Sequence, residues 1–154
     1  MVVVAADEFW FHRRRGLPRW ERYGHPLDTL TVVLSLAWVL FVAPIYSTVA
    51  VFVILAVFSC IFVTKDEPVH KRYCSAAEMW LHSILFMLHP MMLTSAGLLW
   101  PIIWNRTSGF SNWVVRPEGF ERSFLSLICF VMALFGLYQL IFWNLLWHPK
   151  KAVQ

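Results

Sequence analysis

Residues 29–64 read TLTVVLSLAWVLFVAPIYSTVAVFVILAVFSCIFVT and contain no Asp, Glu, Lys or Arg. Two further stretches, residues 79–105 and 123–149, also lack these four charged residues. A helix needs about 20 residues to cross the hydrocarbon core of a membrane, so each of the two shorter stretches fits one crossing. A chain of 154 residues is too small to hide so much apolar length from water. The sequence therefore predicts an integral membrane protein.

Residues 29–64 are too many for one crossing and slightly too few for two. Pro44 lies near the middle of the stretch, and a proline removes a helix hydrogen-bond donor and clashes with the preceding turn. We therefore predict a tight helical hairpin; the alternative is one long, kinked helix. The predicted organisation is a basic, aromatic N-terminal segment (1–26), a membrane domain (27–149) with spans at 27–43, 47–64, 78–104 and 122–147, and a tail (150–154).

The distribution of basic residues predicts the orientation. Four spans place the N-terminus, the connection 65–77 and the C-terminus on one side, with ten Lys and Arg residues against three on the other. The positive-inside rule makes that side cytoplasmic. We thus expect an all-α integral membrane protein with four transmembrane helices in an up-down antiparallel bundle, both termini cytoplasmic, in the inner membrane if the cell is bacterial.

The N-terminal segment mixes aromatic side chains with five arginines, a composition typical of a segment that lies on a membrane surface. A partly ordered tail is the alternative. Because the basic residues flank apolar spans, they indicate contact with lipid headgroups and do not suggest nucleic acid. The cysteines Cys60, Cys74 and Cys129 form no Cys-x-x-Cys pair, which argues against a membrane thiol oxidoreductase.

A line of ionisable residues enters the third predicted span. Helical periodicity places Glu78, His82 and His89 within roughly 40° of one another. Ionisable groups at the depth of His89 are costly in lipid and usually face a partner inside the protein. The fourth span offers Asn144 near the level of His82 and Gln139 near that of His89. We therefore predict a polar intramembrane seam, a candidate ligand or proton site, with two polar rungs between the third and fourth spans.

Three further candidates lie at the predicted cytoplasmic edge, namely His70, Cys74 and His148. If a metal binds, the expected ligands are His70, Glu78, His82 and His148, which are suitable types. The pattern is weak, because neither His-x-x-x-His nor Glu-x-x-His occurs among them. Haem is disfavoured because no second span carries a histidine at mid-membrane depth. The simplest interpretation of the seam is structural: its residues form hydrogen-bonded pairs that hold helices together and bind no ligand.

The sequence contains no recognisable reaction motif, and it leaves three functions open. The first is a non-catalytic subunit or interaction module of a larger membrane complex, whose partners are lipids and other membrane subunits or further copies of the chain. The second is a membrane enzyme or redox protein that binds metal or haem at a cytoplasmic-side His/Glu site. The third is a small oligomeric transporter or proton path that uses His89.

Overall fold

A computed structural model describes residues 2–104 and 119–147 of the chain. Every regular element in these two ranges is a helix. Helix α1 consists of three consecutive segments, Val2–Ala6, Asp7–His12 and Arg13–Arg15. The remaining helices are α2 (Arg19–Phe41), α3 (Tyr46–Tyr73), α4 (Ala76–Ile103) and α5 (Phe120–Leu146).

Helices α2 to α5 are each long and apolar enough to cross a membrane. This confirms the prediction of an all-helical chain with four such segments. The break at Pro44 is also confirmed, since α2 ends at Phe41 and α3 begins at Tyr46. The alternative of one long, kinked helix is therefore excluded. The predicted tail and residues 105–118 of the longest connection lie outside the described residues.

Helix α2 forms the centre of the structure. In the most apolar 18-residue stretch of α2, 39% is buried. The corresponding share is 11–17% in the other three long helices, which expose most of their apolar side chains. Such helices have nowhere to place those side chains except in lipid or against a partner. The core around α2 contains Val32, Leu36, Val39, Leu40, Phe52, Ala96, Trp100, Leu125 and Met132.

Side chains from the neighbouring helices satisfy the last carbonyl groups of α2, which have no partner within their own helix. Trp100 Nε1 donates to the carbonyl of Val42 at 2.7 Å, and Trp104 Nε1 donates to that of Val39 at 3.1 Å. Arg122 donates to the carbonyl of Leu40 at 3.2 Å. These bonds explain why α2 can end at this point without leaving buried polar groups unpaired.

The N-terminal region has a different boundary from the predicted one at residue 26, and it packs on the other helices. Helix α2 begins at Arg19, and α1 packs against the other helices with Asp7, Glu8 and His12 almost fully buried. Its aromatic residues Phe9 and Trp10 point outward. The physical reason is that the polar face of α1 finds hydrogen-bonding partners inside the protein, so residues 2–15 fold onto the other helices.

A glycine makes the turn between α1 and α2. Gly16 has a φ of 75°, which L-residues rarely adopt, and a Cβ added there would lie 2.8 Å from the Trp147 ring. We expect Gly16→Ala to destabilise the protein by more than the roughly 1–2 kcal/mol of left-handed strain, because the ring must also move. Thermal unfolding in mild detergent measures this.

The matched control is Gly119→Ala, because Gly119 has a φ of 76° but no atom of the described residues lies within 4 Å of its Cβ position. Its substitution carries the backbone strain alone. Equal losses of stability in the two variants would show that the turn does not approach Trp147 as described.

Candidate metal site

Each of the first four helices carries a carboxylate followed four residues later by a histidine. Residues four apart lie on the same face of a helix, so each helix presents an acid and an imidazole together. The structure brings all four faces into one region. The pairs are Glu8/His12 on α1, Glu21/His25 on α2, Asp66/His70 on α3 and Glu78/His82 on α4. With Asp7 and Asp28 they form what we call the His/carboxylate cluster.

The four imidazole rings of the cluster form a closed circuit. The ring centroids of His12 and His25 are 4.8 Å apart, and those of His70 and His82 are 4.2 Å apart. The circuit is completed by separations of 6.4 Å between His25 and His70 and 6.1 Å between His12 and His82. Four rings from four helices thus surround a small common space.

Asp7 lies between two of these rings. Its Oδ1 is 3.0 Å from His82 Nε2, and its Oδ2 is 3.3 Å from His12 Nε2. His12 Nδ1 is also 3.5 Å from the Glu8 carboxylate. Burial lowers the pKa of His12, but its neighbours Glu8 and Asp7 favour the charged ring, and the pKa lies above its ordinary value. The surroundings of His12 therefore favour positive charge.

Two cations flank the cluster and join its helices. Arg15 on α1 donates to Glu21 on α2 at 2.9 Å and lies 3.1 Å from Glu78 on α4. Lys65 on α3 contacts Asp28 on α2 at 2.6 Å and its own neighbour Asp66 at 2.8 Å. Each cation therefore occupies one carboxylate oxygen of its partners, and the second oxygens of Asp28 and Asp66 are buried without a hydrogen bond.

Helix α5 positions Glu8 from the other side. Gln139 Nε2 and Trp143 Nε1 donate to the two oxygens of the Glu8 carboxylate, and Gln139 Oε1 accepts from the hydroxyl of Thr29 at 3.0 Å. All of these groups are buried. Gln139 and Trp143 therefore anchor α1 on α5 by buried polar bonds.

Many polar atoms of the cluster are buried without a hydrogen bond. They include both ring nitrogens of His12 and of His70, Nδ1 of His82 and Nε2 of His25. One carboxylate oxygen of each of Glu21, Asp28 and Asp66 is in the same state. A buried polar atom without a partner costs about 1–3 kcal/mol, so native proteins contain few of them. The nitrogens of His12 and His70 do have charged neighbours, because carboxylate oxygens lie 3.3–3.9 Å from them without hydrogen-bond geometry. The cluster is therefore held by loose ion pairs as well as by hydrogen bonds, and its imidazoles and carboxylates could close around a ligand.

The ligand-type atoms fall into compact groups, in each of which all the atoms lie within 4.8 Å of one another. The first group is Asp7, His12, Glu78 and His82, and all four residues are buried. The second is Glu21, His25 and His70. Metal–ligand bonds of 2.0–2.2 Å allow up to about 4.4 Å between two ligands, so either group would close around an ion after small movements.

Two further groups overlap with these, His25/Asp28/Asp66 and His70/Cys74/His82. Cys74 is the weakest ligand among them, because burial raises the pKa of its thiol to about 12. A thiolate, which is the form that binds metal, is therefore scarce at neutral pH.

The predicted site residues have different surroundings in the structure. Glu78, His82 and His70 belong to the cluster. His89 lies about two helical turns further along α4 and forms a hydrogen bond of 2.9 Å with Ser59 Oγ. His148 lies outside the described residues.

The two predicted rungs between the third and fourth spans are replaced by other pairs. His82 pairs with Asp7, Gln139 with Glu8 and Thr29, and Asn144 donates to the backbone carbonyls of Arg22 and Leu140. The reason is that α1, whose contacts with the other helices the sequence analysis did not predict, supplies partners for His82 and Gln139.

Sequence reasoning missed most of the cluster, although the pattern was visible. Four repeats of an acidic residue, three residues and a histidine account for four of the six histidines in the chain. Each repeat lies near a segment end. The missed residues are Asp7, Glu8, His12, Glu21, His25, Asp28 and Asp66.

Comparison of the chain with protein-family models, with curated proteins and with solved structures gives no match. A function therefore has to be inferred from the residues of the His/carboxylate cluster and their geometry.

Proposed function

We propose that this chain is a multi-pass membrane protein that binds two divalent transition-metal ions in the His/carboxylate cluster. The observation that carries the proposal is that four helices bring imidazoles and carboxylates into groups whose ligand-type atoms lie within 4.8 Å of one another, with few hydrogen bonds between them. Imidazole and carboxylate are ligand types that first-row transition metals share. A bound ion would supply the missing partners of these atoms.

Two ions can bind together because two of the ligand groups share no residue. The first group provides two histidines and two carboxylates, and the second provides two histidines and one carboxylate. The rings of His12 and His25, one from each group, stack at 4.8 Å. The two ions would therefore lie side by side within one cluster.

The formal charge of the cluster favours bound cations. Six carboxylates belong to it, and Arg15 and Lys65 contact four of them. With His12 charged as well, as its surroundings favour, six negative and three positive charges leave a formal charge of −3. A buried negative charge of this kind is unfavourable, and bound divalent ions would offset it.

We propose non-haem iron as the bound ion, although two histidines and one carboxylate also hold zinc in catalytic sites. The second group contains two histidines and one carboxylate, the set that non-haem Fe(II) sites use with positions left open for further ligands. Of the three functions predicted from the sequence, the second therefore has the strongest support. It is a membrane redox protein with a His/carboxylate metal site. The subunit role and the proton path stay predictions.

The membrane arrangement belongs to the same proposal. Helices α2 to α5 would cross the membrane in up-down order, with the cluster near the cytoplasmic face and both termini in the cytoplasm. The excess of Lys and Arg in the N-terminal segment and the connection 65–77 supports this orientation. Lipids would cover the exposed apolar faces of the four long helices.

Metal removal and return test the proposal. We expect a chelator to lower the thermal stability of the purified protein, and Fe(II) added without oxygen to restore it. At 100 times the dissociation constant, one bound ion stabilises a protein by about 2.7 kcal/mol. The control is a His12→Ala/His25→Ala double variant, which lacks one ligand of each group and should not respond. A wild-type protein indifferent to both chelator and Fe(II) would contradict the proposal.

A further inference from the structure

A cavity of about 410 Å³ adjoins the His/carboxylate cluster. Asp7, His12, His25 and Asp28 line one end of it. From there it extends between α2, α4 and α5, where the lining includes Val32, Met92, Met132 and Phe135. Along α4 its wall reaches from Leu85 to Ser95, which is about 15 Å at the helical rise. The cavity is therefore elongated, with one polar end.

Away from the cluster, the polar groups on the cavity wall already have partners. His89 is bonded to Ser59, the hydroxyl of Ser95 donates to the Met91 carbonyl, and Thr29 donates to Gln139. The polar wall atoms without hydrogen bonds belong to His12, His25 and Asp28 at the cluster end. A molecule that fits this lining is apolar along its length and polar at one tip.

The cavity wall reaches the outer surface of α4. Leu88 and Met91 line the cavity, and their side chains are 43% and 61% exposed. In a membrane this surface faces acyl chains, so a lipid-soluble molecule could enter sideways without passing through water. Methionine side chains adapt to irregular apolar shapes, and Met91, Met92 and Met132 all contribute to the wall.

We propose that the cavity binds a long-chain fatty acid, with its chain along the cavity and its carboxylate on a metal ion of the cluster. The choice of an acid and the position of its carboxylate rest on the proposed function, because without a bound ion this group would face the carboxylates of Asp7, Glu8 and Asp28. The apolar part of the site does not depend on the metal. The second ligand group provides three protein ligands, and one of them, His25, lines the cavity. An ion held there would keep coordination positions for the oxygens of a carboxylate. The apolar lining accounts for the chain.

Two methionines on α4 provide a matched pair of variants. Met91→Trp puts an indole at the cavity wall, whereas Met87→Trp puts the same group at a side chain that is 67% exposed and does not line the cavity. Both changes are on the surface of one helix, so their effects on folding should be similar. Binding of radiolabelled palmitate is measured by equilibrium dialysis in maltoside micelles, with protein-free micelles subtracted.

We expect saturable binding of about one palmitate per chain, an affinity at least about tenfold weaker in Met91→Trp, and no change in Met87→Trp. Equal binding by the two variants, or no saturable binding to the wild type, overturns the proposal. If the protein binds palmitate in this pattern but no metal, the proposed metal function fails while the chain site stands.

A separate NMR experiment tests whether the carboxylate of the fatty acid lies on the metal ion. In protein loaded with paramagnetic Mn(II), the NMR signal of ¹³C-carboxyl palmitate should broaden far more than that of palmitate labelled at its terminal methyl group. Zn(II)-loaded protein, which is diamagnetic, is the control. Equal broadening of the two labels, or hexadecanol binding as tightly as palmitate, overturns the placement of the carboxylate on the metal.

Discussion

Replacing His82 with alanine is expected to reduce bound iron from about two ions to about one per chain, because the first ligand group loses one of its two histidines. His82 is buried, and Asp7 and His12 would be left beside a space that lacks a ligand. Elemental analysis of protein purified without oxygen measures the effect. Its thermal unfolding is followed in parallel, to show that the variant folds.

The control is His89→Ala on the same helix. His89 also lies in α4 and is hydrogen-bonded, but its partner is Ser59 and it belongs to none of the ligand groups. We expect this variant to keep its full metal content. Equal metal loss in the two variants would mean that iron binds elsewhere, or that both changes only disturb the packing of α4.

Replacing Glu8 with alanine is expected to release α1 from the other helices. The change leaves Gln139 Nε2 and Trp143 Nε1 buried without their acceptor. Two unpaired buried donors cost about 2–6 kcal/mol together, which is enough to shift a short helix to an undocked state. Hydrogen exchange followed by mass spectrometry should show faster exchange in residues 2–15. Metal binding should fall as well, because Asp7 and His12 move away with α1.

Glu67→Ala is the matched control for this variant. Glu67 is also an acidic residue beside a cluster histidine, but its side chain is 40% exposed and lies 3.9 Å from His70. Exposed ion pairs contribute about 0–1 kcal/mol, so this change should leave the exchange of residues 2–15 as in the wild type. Unchanged exchange in the Glu8 variant would show that Glu8 does not hold α1 in place.

The four long helices were predictable because the physical requirement is local. A chargeless run of sufficient length identifies a helix that needs an apolar environment, and Pro44 identifies the point where residues 29–64 must divide. The start of α2 was not predictable in this way. Arg19, Glu21 and Arg22 give the first turns of α2 a polar composition, and only their contacts with Arg15, Leu17 and Asn144 show that these turns belong to the packed structure.

The cluster was predictable in part. Glu78 and His82 stand out because they interrupt an apolar helix, and His70 because it precedes them on the chain. His12 and His25 lie in a segment rich in Arg and aromatic residues, whose composition alone fits a membrane surface. Their role depends on the turn at Gly16, which lets α1 pack against the other helices. Amino-acid composition does not predict such tertiary contacts. The repeated acid–histidine spacing was the local signal that indicated these residues.

The hydrogen-bond partners of the seam residues could not be predicted either, because they also depend on tertiary contacts. Depth in a membrane suggests which residues share a level, but it does not say which helices are neighbours. His89 was matched with Gln139 by level, whereas in the structure it faces Ser59 on α3. Gln139 instead meets Glu8, because α1 packs against this end of α5.

The metal-to-chain ratio of the purified wild-type protein tests the central claim most directly. The protein is prepared in mild detergent without oxygen, supplied with Fe(II), freed of unbound metal and measured by elemental analysis together with iron X-ray absorption. We predict about two iron ions per chain, each surrounded by nitrogen and oxygen ligands at about 2.0–2.2 Å. A protein that remains metal-free, or whose iron shows sulfur ligands, would contradict the assignment of the His/carboxylate cluster as a metal site.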